Sequence, residues 1–225
     1  MRILVFDTET TGIIPKKSST DEIIPLEQYP SIVQLSFIVY DTITKTIVKS
    51  SDHIIDVAKY MPIPQVTIDV HNITNEISIE KGIPIRVAIQ DFINELYCCD
   101  YLVAHNLNFD NTMINKELER MNLDSNKILQ NEKLKRVERY CTMCKGRYLC
   151  KIEKTSPTGK TYFKSPRQYE LHEHLFGTVP ENLHNSYHDI LVCLRIFVKM
   201  RFKYDICMVN LEFADIFQNT LNVKI

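Results

Sequence analysis

No run of apolar residues approaches the ~20 that a membrane-spanning helix needs, so no membrane partner is expected. The chain has no Gly-rich phosphate loop and no G-x-S-x-G elbow, which removes kinase, nucleoside triphosphatase and serine hydrolase readings. His172-Glu-His174 lacks the H-E-x-x-H spacing that would put two ligands on one helical face. No basic-then-apolar leader precedes the first apolar run, so no signal peptide is expected. The seven cysteines are an odd, scattered set rather than the dense, even framework of a small secreted domain. They read as reduced thiols in a cytosolic or nuclear setting. Internal repeats and low-complexity blocks are missing too, and the net charge of −1 announces no polyanionic partner.

What is present begins at the first dozen residues, Met1-Arg-Ile-Leu-Val-Phe-Asp-Thr-Glu-Thr-Thr-Gly12. Arg2 to Phe6 reads as a buried strand ended by turn-forming residues. Side chains two apart on a strand share a side, so Asp7 and Glu9 stand together at the rim of a sheet. Two close carboxylates raise each other's pKa unless a cation lies between them, and hard oxygen ligands favour Mg²⁺ or Mn²⁺. A bare Asp-x-Glu is usually a solvated strand end. Its weight therefore depends on what accompanies it.

The 225 residues suit one generous domain. Residues 13 to 31, rich in Pro, Ser, Lys and acids, read as a long mobile connection and a candidate flap over the acidic pair. Strands are expected at Ile32 to Tyr40 and Lys45 to Ile55, around the turn Asp41-Thr-Ile-Thr44. Helical spacing follows from Val87 to Tyr97, then a short buried strand from Tyr101 to Ala104. His105-Asn-Leu-Asn-Phe-Asp110 opens a helix with Asp110 in its first turn, where the helix dipole favours a carboxylate. The stretch from Asn122 to Lys135 is polar and expected to be irregular. A strand near Glu138 to Thr142, a helix near Gln168 to Phe176 and a helix from about Asp189 to Phe202 complete a mixed α/β layer arrangement. The tail from Tyr204 to Ile225 retains enough apolar residues to pack as a last helix. Between Asn131 and Glu170 eleven Lys/Arg face four Glu, a balance of +7 that leaves the rest of the chain at −8. A basic rim could thus lie beside an acidic site.

Three segments stand out: Phe6-Asp-Thr-Glu-Thr-Thr-Gly12, Ala104-His-Asn-Leu-Asn-Phe-Asp110 and His184-Asn-Ser-Tyr-His-Asp189. In this order they resemble the three motifs of the DEDD superfamily of 3′–5′ exonucleases, the DnaQ-like group with an RNase H-like fold. His184, five positions before Asp189, matches the His-containing DEDDh branch, whereas the Tyr branch would need Tyr where Asn185 stands. The likeness covers roughly Arg2 to Phe202. Val70-His-Asn-Ile-Thr74 resembles the family's His-Gly-Ile-Thr segment, with Asn72 where Gly is usual. Tyr140-Cys-Thr-Met and Glu170-Leu-His-Glu-His-Leu-Phe-Gly177 resemble the elements between the second and third motifs, in a form associated with large DNA viruses.

The resemblance implies an exonuclease domain over residues 1–203, with 204–225 an extension packed on it. It implies two divalent cations, Mg²⁺ or Mn²⁺, held by Asp7, Glu9, Asp110 and Asp189, and His184 as general base. It further implies substrate contacts from Thr10, Thr11, His71, Asn106 and Phe109. Attack on the last phosphodiester would release a nucleoside 5′-monophosphate from a single-stranded 3′ end, DNA being favoured over RNA, in company with replication or repair proteins. An RNA exonuclease is the alternative within the class. A non-catalytic nucleic-acid-binding module is another, but a degenerate copy would be expected to have lost one of the five motif residues. Cys141-Thr-Met-Cys144, with Cys150, His172 and His174, is a weak zinc pattern, because a second spaced pair is missing and Cys141-Thr-Met fits an interior strand.

Overall fold

In the computed structural model, which describes residues 1–17, 19, 22–124 and 137–225, the opening apolar run becomes β1 (Arg2–Thr10), the middle strand of a five-stranded sheet. β2 (Ile32–Asp41) pairs antiparallel with β1, and β3 (Thr46–Ile54) pairs antiparallel with β2. On the other side of β1 lie β4 (Tyr101–Ala104) and then β5 (Glu138–Cys141), both parallel. The order is β3-β2-β1-β4-β5.

Strand parity divides the core. Ile3 and Val5 of β1 pack with Ile38, Val103 and the long helix α7 (Ser186–Phe202), while Leu4 and Phe6 face the opposite layer. That second layer is built from α3 (Ile85–Leu96) and α4 (Leu107–Arg120). β2 is buried over nine of its ten residues, as expected for a strand covered on both faces.

Several elements differ from expectation. The loop after Pro62 holds two seven-residue helices, α1 (Gln65–His71) and α2 (Asn75–Lys81). Asn72, in the place of the usual Gly, takes φ 61° and ψ 14° as the C-cap of α1. This left-handed region is open to Gly at no cost and to Asn more readily than to other side chains, which accounts for the replacement. β5 is an edge strand that ends at Cys141, and Thr142 opens α5 (Thr142–Cys150), so Cys141 to Met143 is not interior strand. The Cys141 thiol instead caps that helix, accepting from the Cys144 amide at 3.5 Å. α5 leads into a small ribbon, β6 (Glu153–Thr155) and β7 (Thr161–Phe163), and then α6 (Gln168–Phe176). α7 begins three residues earlier than expected because Asn185 caps it, accepting from the amides of Tyr187 and His188. The connection after β1 contains a 3-10 turn at Leu26–Gln28. Its far end is tethered by Arg120, whose guanidinium donates to the carbonyls of Leu26, Tyr29 and Pro30. Most of the stretch expected to be irregular, from residue 125 onward, lies outside the described residues. No described helix is long and apolar enough to cross a membrane.

The C-terminal helix α8 (Leu211–Leu221) adds Phe213, Phe217 and Leu221 to the α7 layer. It is locked there by Arg195, which donates to both carboxylate oxygens of Asp205 (3.0 and 2.7 Å) and lies against the rings of Phe176 and Phe217. The His172 Nδ1–H donates to the Thr178 carbonyl, so Nε2 is left to accept from Arg195. Burial pushes His172 down to about 4, keeping it neutral beside the guanidinium. Arg195→Met should strand a half-buried carboxylate at a cost of about 3 kcal/mol, or roughly 6–12 °C in Tm. A thermal melt within a degree of wild type would show that the pair is dispensable.

Candidate active site

The alternation that sends Ile3 and Val5 toward α7 carries on to Asp7 and Glu9, which meet Asp189 in the first turn of that helix. Carboxylate oxygens of Asp7, Glu9 and Asp189 lie within 4.8 Å of one another, the one His/Cys/Asp/Glu group of this kind among the described residues. The Cys/His set is not brought together in that way. Asp110 reaches the same place from the other layer, from the first turn of α4. Its Oδ1 accepts from the Thr8 amide (3.1 Å) and hydroxyl (2.9 Å), which aims it at the carboxyl ends of β1 and β4.

Four carboxyls crowded in this way resist ionisation. Burial, then Asp110, Asp189 and Glu9, push Asp7 well above the usual carboxylate range. Burial, then Asp189 and Asp110, push Glu9 up to about 8. Asp110 rises to about 7 through burial, against the pull of the Thr8 hydrogen bonds. Asp189 also rises to about 7 through burial, against a hydrogen bond from the His184 amide. The donor set is all oxygen and formally four negative charges, which fits hard divalent cations and leaves a large electrostatic cost without them.

A buried polar chain holds Asp189 in place. Ser186 donates from Oγ to the Asp7 carbonyl at 2.8 Å and accepts from the Ser36 amide, while its own amide donates to Gln34 Oε1. Gln34 and Ser36 both donate onward to Asp52. The first turn of α7 is thereby pinned to β1 and β2, three residues before Asp189. Ser186→Ala removes the two buried hydrogen bonds made by the hydroxyl, a cost of about 1–3 kcal/mol. Melting should fall by roughly 2–4 °C per kcal/mol and Mg²⁺ should bind more weakly in a calorimetric titration. An unchanged melt with unchanged Mg²⁺ affinity would remove Ser186 from this role.

A cavity of about 510 Å³ opens on the cluster and is lined by Asp7, Glu9, Asp110 and Asp189 together with Asn106, Phe109 and His184. His184 sits on the loop before α7 at φ 69°, exposed and held by its amide's bond to Asp189 Oδ2 (3.1 Å). His188 is turned away, its Nδ1 bonded to the Asn182 carbonyl at 2.6 Å, and does not line the cavity. An adjoining, more apolar cavity of about 480 Å³ is lined by Glu9, Thr10, Val66, Val70, His71 and Phe109, so Phe109 serves both. Thr11 stands apart from both cavities: its amide donates to the Ser31 carbonyl and its hydroxyl accepts from the Ser31 amide.

Other walls were not foreseen. Ser165 to Tyr169 line the larger cavity, and so does His105. The basic balance of that stretch was the available signal, but its position was not. His105 donates from Nε2 to the Pro166 carbonyl, so Nδ1 accepts from the Thr142 hydroxyl, and burial pushes it down to about 4. It acts as a neutral crosslink. Gly146 lets this wall close, since a Cβ there would lie 2.7 Å from the Leu171 side chain and 3.1 Å from Pro166.

A family model described as an exonuclease matches residues 4–197, and the chain belongs to that family. Among solved structures it is similar to E. coli exonuclease I in complex with a dT13 oligonucleotide, at 15% identity and a TM-score of 0.65 over 98% of this chain and 45% of that one. A product-bound exonuclease I gives 14% identity and a TM-score of 0.65 over 96% and 46%. A moderately thermophilic exonuclease I from Methylocaldum szegediense gives 13% and 0.63 over 95% and 44%. These likenesses show a shared fold, the RNase H-like α/β arrangement. The chain spans less than half the length of these structures. No curated protein matches it.

Proposed function

We propose that this chain is a metal-dependent 3′–5′ exonuclease that removes nucleoside 5′-monophosphates from single-stranded ends, with DNA preferred to RNA. The observation that carries the reading is the convergence of Asp7, Glu9 and Asp189 within 4.8 Å, with Asp110 buried beside them, on a cavity that also takes in the exposed His184. Two divalent cations, Mg²⁺ or Mn²⁺, held by these four carboxylates would supply Lewis-acid stabilisation of the charge that develops on phosphate oxygens. Membership of the exonuclease family and the fold shared with oligonucleotide-bound exonuclease I support the substrate class.

The chain's own residues supply the rest. An imidazole nitrogen of His184 takes the proton of the water that attacks the terminal phosphorus. The bond from phosphorus to the 3′-oxygen of the penultimate nucleoside breaks, and that oxygen takes a proton from solvent water to become the new 3′-hydroxyl. The smaller cavity receives the terminal nucleoside. His71 Nδ1 accepts from the Ile73 amide, so the proton resides on Nε2, which is buried with no partner of its own. Burial lowers the His71 pKa and keeps it a neutral donor toward that nucleoside. Phe109 offers a ring between the two cavities, and base stacking on such a ring tolerates any sequence. Asn106, at φ 78° before α4, and Thr10 complete the walls. The fold shared with exonuclease I bound to a dT13 oligonucleotide supports deoxyribose.

The test is digestion of matched 5′-labelled single-stranded DNA and RNA in Mg²⁺ and then Mn²⁺, with an Asp7→Ala control. Stepwise shortening of DNA ahead of RNA, lost in the control, is expected. Faster shortening of RNA would reverse the sugar preference, and no shortening of either would sink the enzymatic reading.

A further inference from the structure

The β6–β7 ribbon belongs to neither face of the main sheet. All six of its strand residues are exposed, and none of them is part of a core cluster. A two-stranded ribbon with nothing packed on it is marginal in water, so keeping bulky rings on it calls for an explanation. Tyr162 is 46% exposed and Phe163 37%.

Its charge is one-sided. From Lys145 to Arg167 there are seven Lys/Arg and one Glu. Lys164 is paired with Glu170, but Lys151, Lys154 and Lys160 have no ion-pair partner among the described residues. Lys154 and Tyr162 are direct cross-strand partners, so their side chains share one face, a cation beside a ring. Cations that follow a phosphate backbone, interleaved with rings on which bases stack, are what sequence-tolerant binding of single strands requires.

The ribbon is also continuous with the active-site wall. Its open end is closed by the Lys164 amide bonded to the Ile152 carbonyl, and the next residues, Ser165 to Tyr169, line the catalytic cavity. From Ser165 to the turn at Gly159 the chain can reach no more than about 20 Å. The ribbon is thus within reach of polymer that leaves the cavity along that wall.

We propose that the β6–β7 ribbon is an arm that grips single-stranded nucleic acid upstream of the 3′ end held in the site, through Lys154, Lys160 and the ring of Tyr162. This rests on the exonuclease reading. The arm lets the enzyme hold a long strand between successive cleavages and adds nothing to a substrate too short to reach it.

The double variant Lys154→Ser/Tyr162→Ser tests it, because both side chains are solvent-exposed and outside every core cluster. KM would be measured for a single strand of about 20 nucleotides and for a dinucleotide, each over a range of salt concentrations. The expected result is a rise in KM for the long strand on the order of tenfold or more, with dinucleotide hydrolysis unchanged. The slope of log KM against log salt for the long strand should become shallower by about 0.7 for the lysine removed. An unchanged KM and salt slope for the long strand would overturn the arm while leaving the exonuclease reading intact. An equal loss on both lengths would also overturn it, since the ribbon would then be supporting the site. Wild-type enzyme that cleaves neither substrate would defeat the exonuclease reading, and the arm with it.

Discussion

Asp7→Asn is expected to lower hydrolysis by at least about a thousandfold and, in the same molecule, to raise the melting temperature of the metal-free protein. The first effect follows from its place at the centre of the cluster, facing Asp110, Asp189 and Glu9 at once. On the proposed two-metal reading, removing its charge deletes a ligand whose contribution to transition-state stabilisation is several kcal/mol, and each ~1.4 kcal/mol is tenfold in rate. The second effect has the opposite sign because the same crowding destabilises the empty fold. Carboxyls whose folded pKa lies above the unfolded value bind protons more tightly when folded, so stability falls as pH rises. For Glu9, Asp110 and Asp189 that fall runs from about 4, the unfolded value, through about 7 to 8. At pH 8 without metal, Asp7→Asn should therefore melt higher by several degrees, at roughly 2–4 °C per kcal/mol for a chain of this size. Added Mg²⁺ should raise the melt of wild type and do much less for the variant. A variant that melts lower than wild type in chelator at pH 8 would contradict the electrostatic account of the cluster.

The second large effect separates two histidines four residues apart. His184→Ala should cost about 10²–10⁴-fold in kcat, the usual range for a general base, and leave the melting temperature close to wild type because the ring is exposed. His188→Ala should leave kcat within a few-fold, since its ring is committed to the Asn182 carbonyl and faces away from the cavity. The difference lies in the backbone. His184 adopts φ 69° while its amide bonds to Asp189, which turns the side chain toward the cluster, whereas His188 lies inside the first turn of α7. Single-turnover rates of the two variants decide between them, and an intact rate for His184→Ala would transfer the proton to another acceptor.

Much of this was legible before the structure. The period of two in Ile3, Val5, Asp7 and Glu9 put both acids on one face, and the helical period of α3 and α4 with the apolar run of α7 marked the layers that cover the sheet. α1 and α2 escaped notice because seven residues carry too little periodicity. They depend instead on the Thr74 cap and on Ser78, buried and donating to the Ile55 carbonyl. The β6–β7 ribbon escaped for a different reason. Its three-residue strands bury nothing, so no apolar alternation is written into them. In the site, Gln34, Ser36 and Ser186 carried no role before the structure, because sequence gives a side chain's type and not its partner. Arg167 and Tyr169 could be seen as part of a basic stretch, yet only the path of the chain through Ser165 and Pro166 places them on the cavity. The family resemblance named Thr11 with Thr10, while the bulge between Glu9 and Thr10 and the bonds to Ser31 hold its side chain away from both cavities.

The measurement that bears most directly on the carboxylate cluster as an exonuclease site is the identity of the first product from a 3′-labelled single-stranded oligonucleotide in Mg²⁺. Labelled nucleoside 5′-monophosphate, released before any shorter internal fragment and absent in chelator, is the predicted result. A 3′-monophosphate, internal fragments appearing first, or release that persists without divalent cation would contradict it.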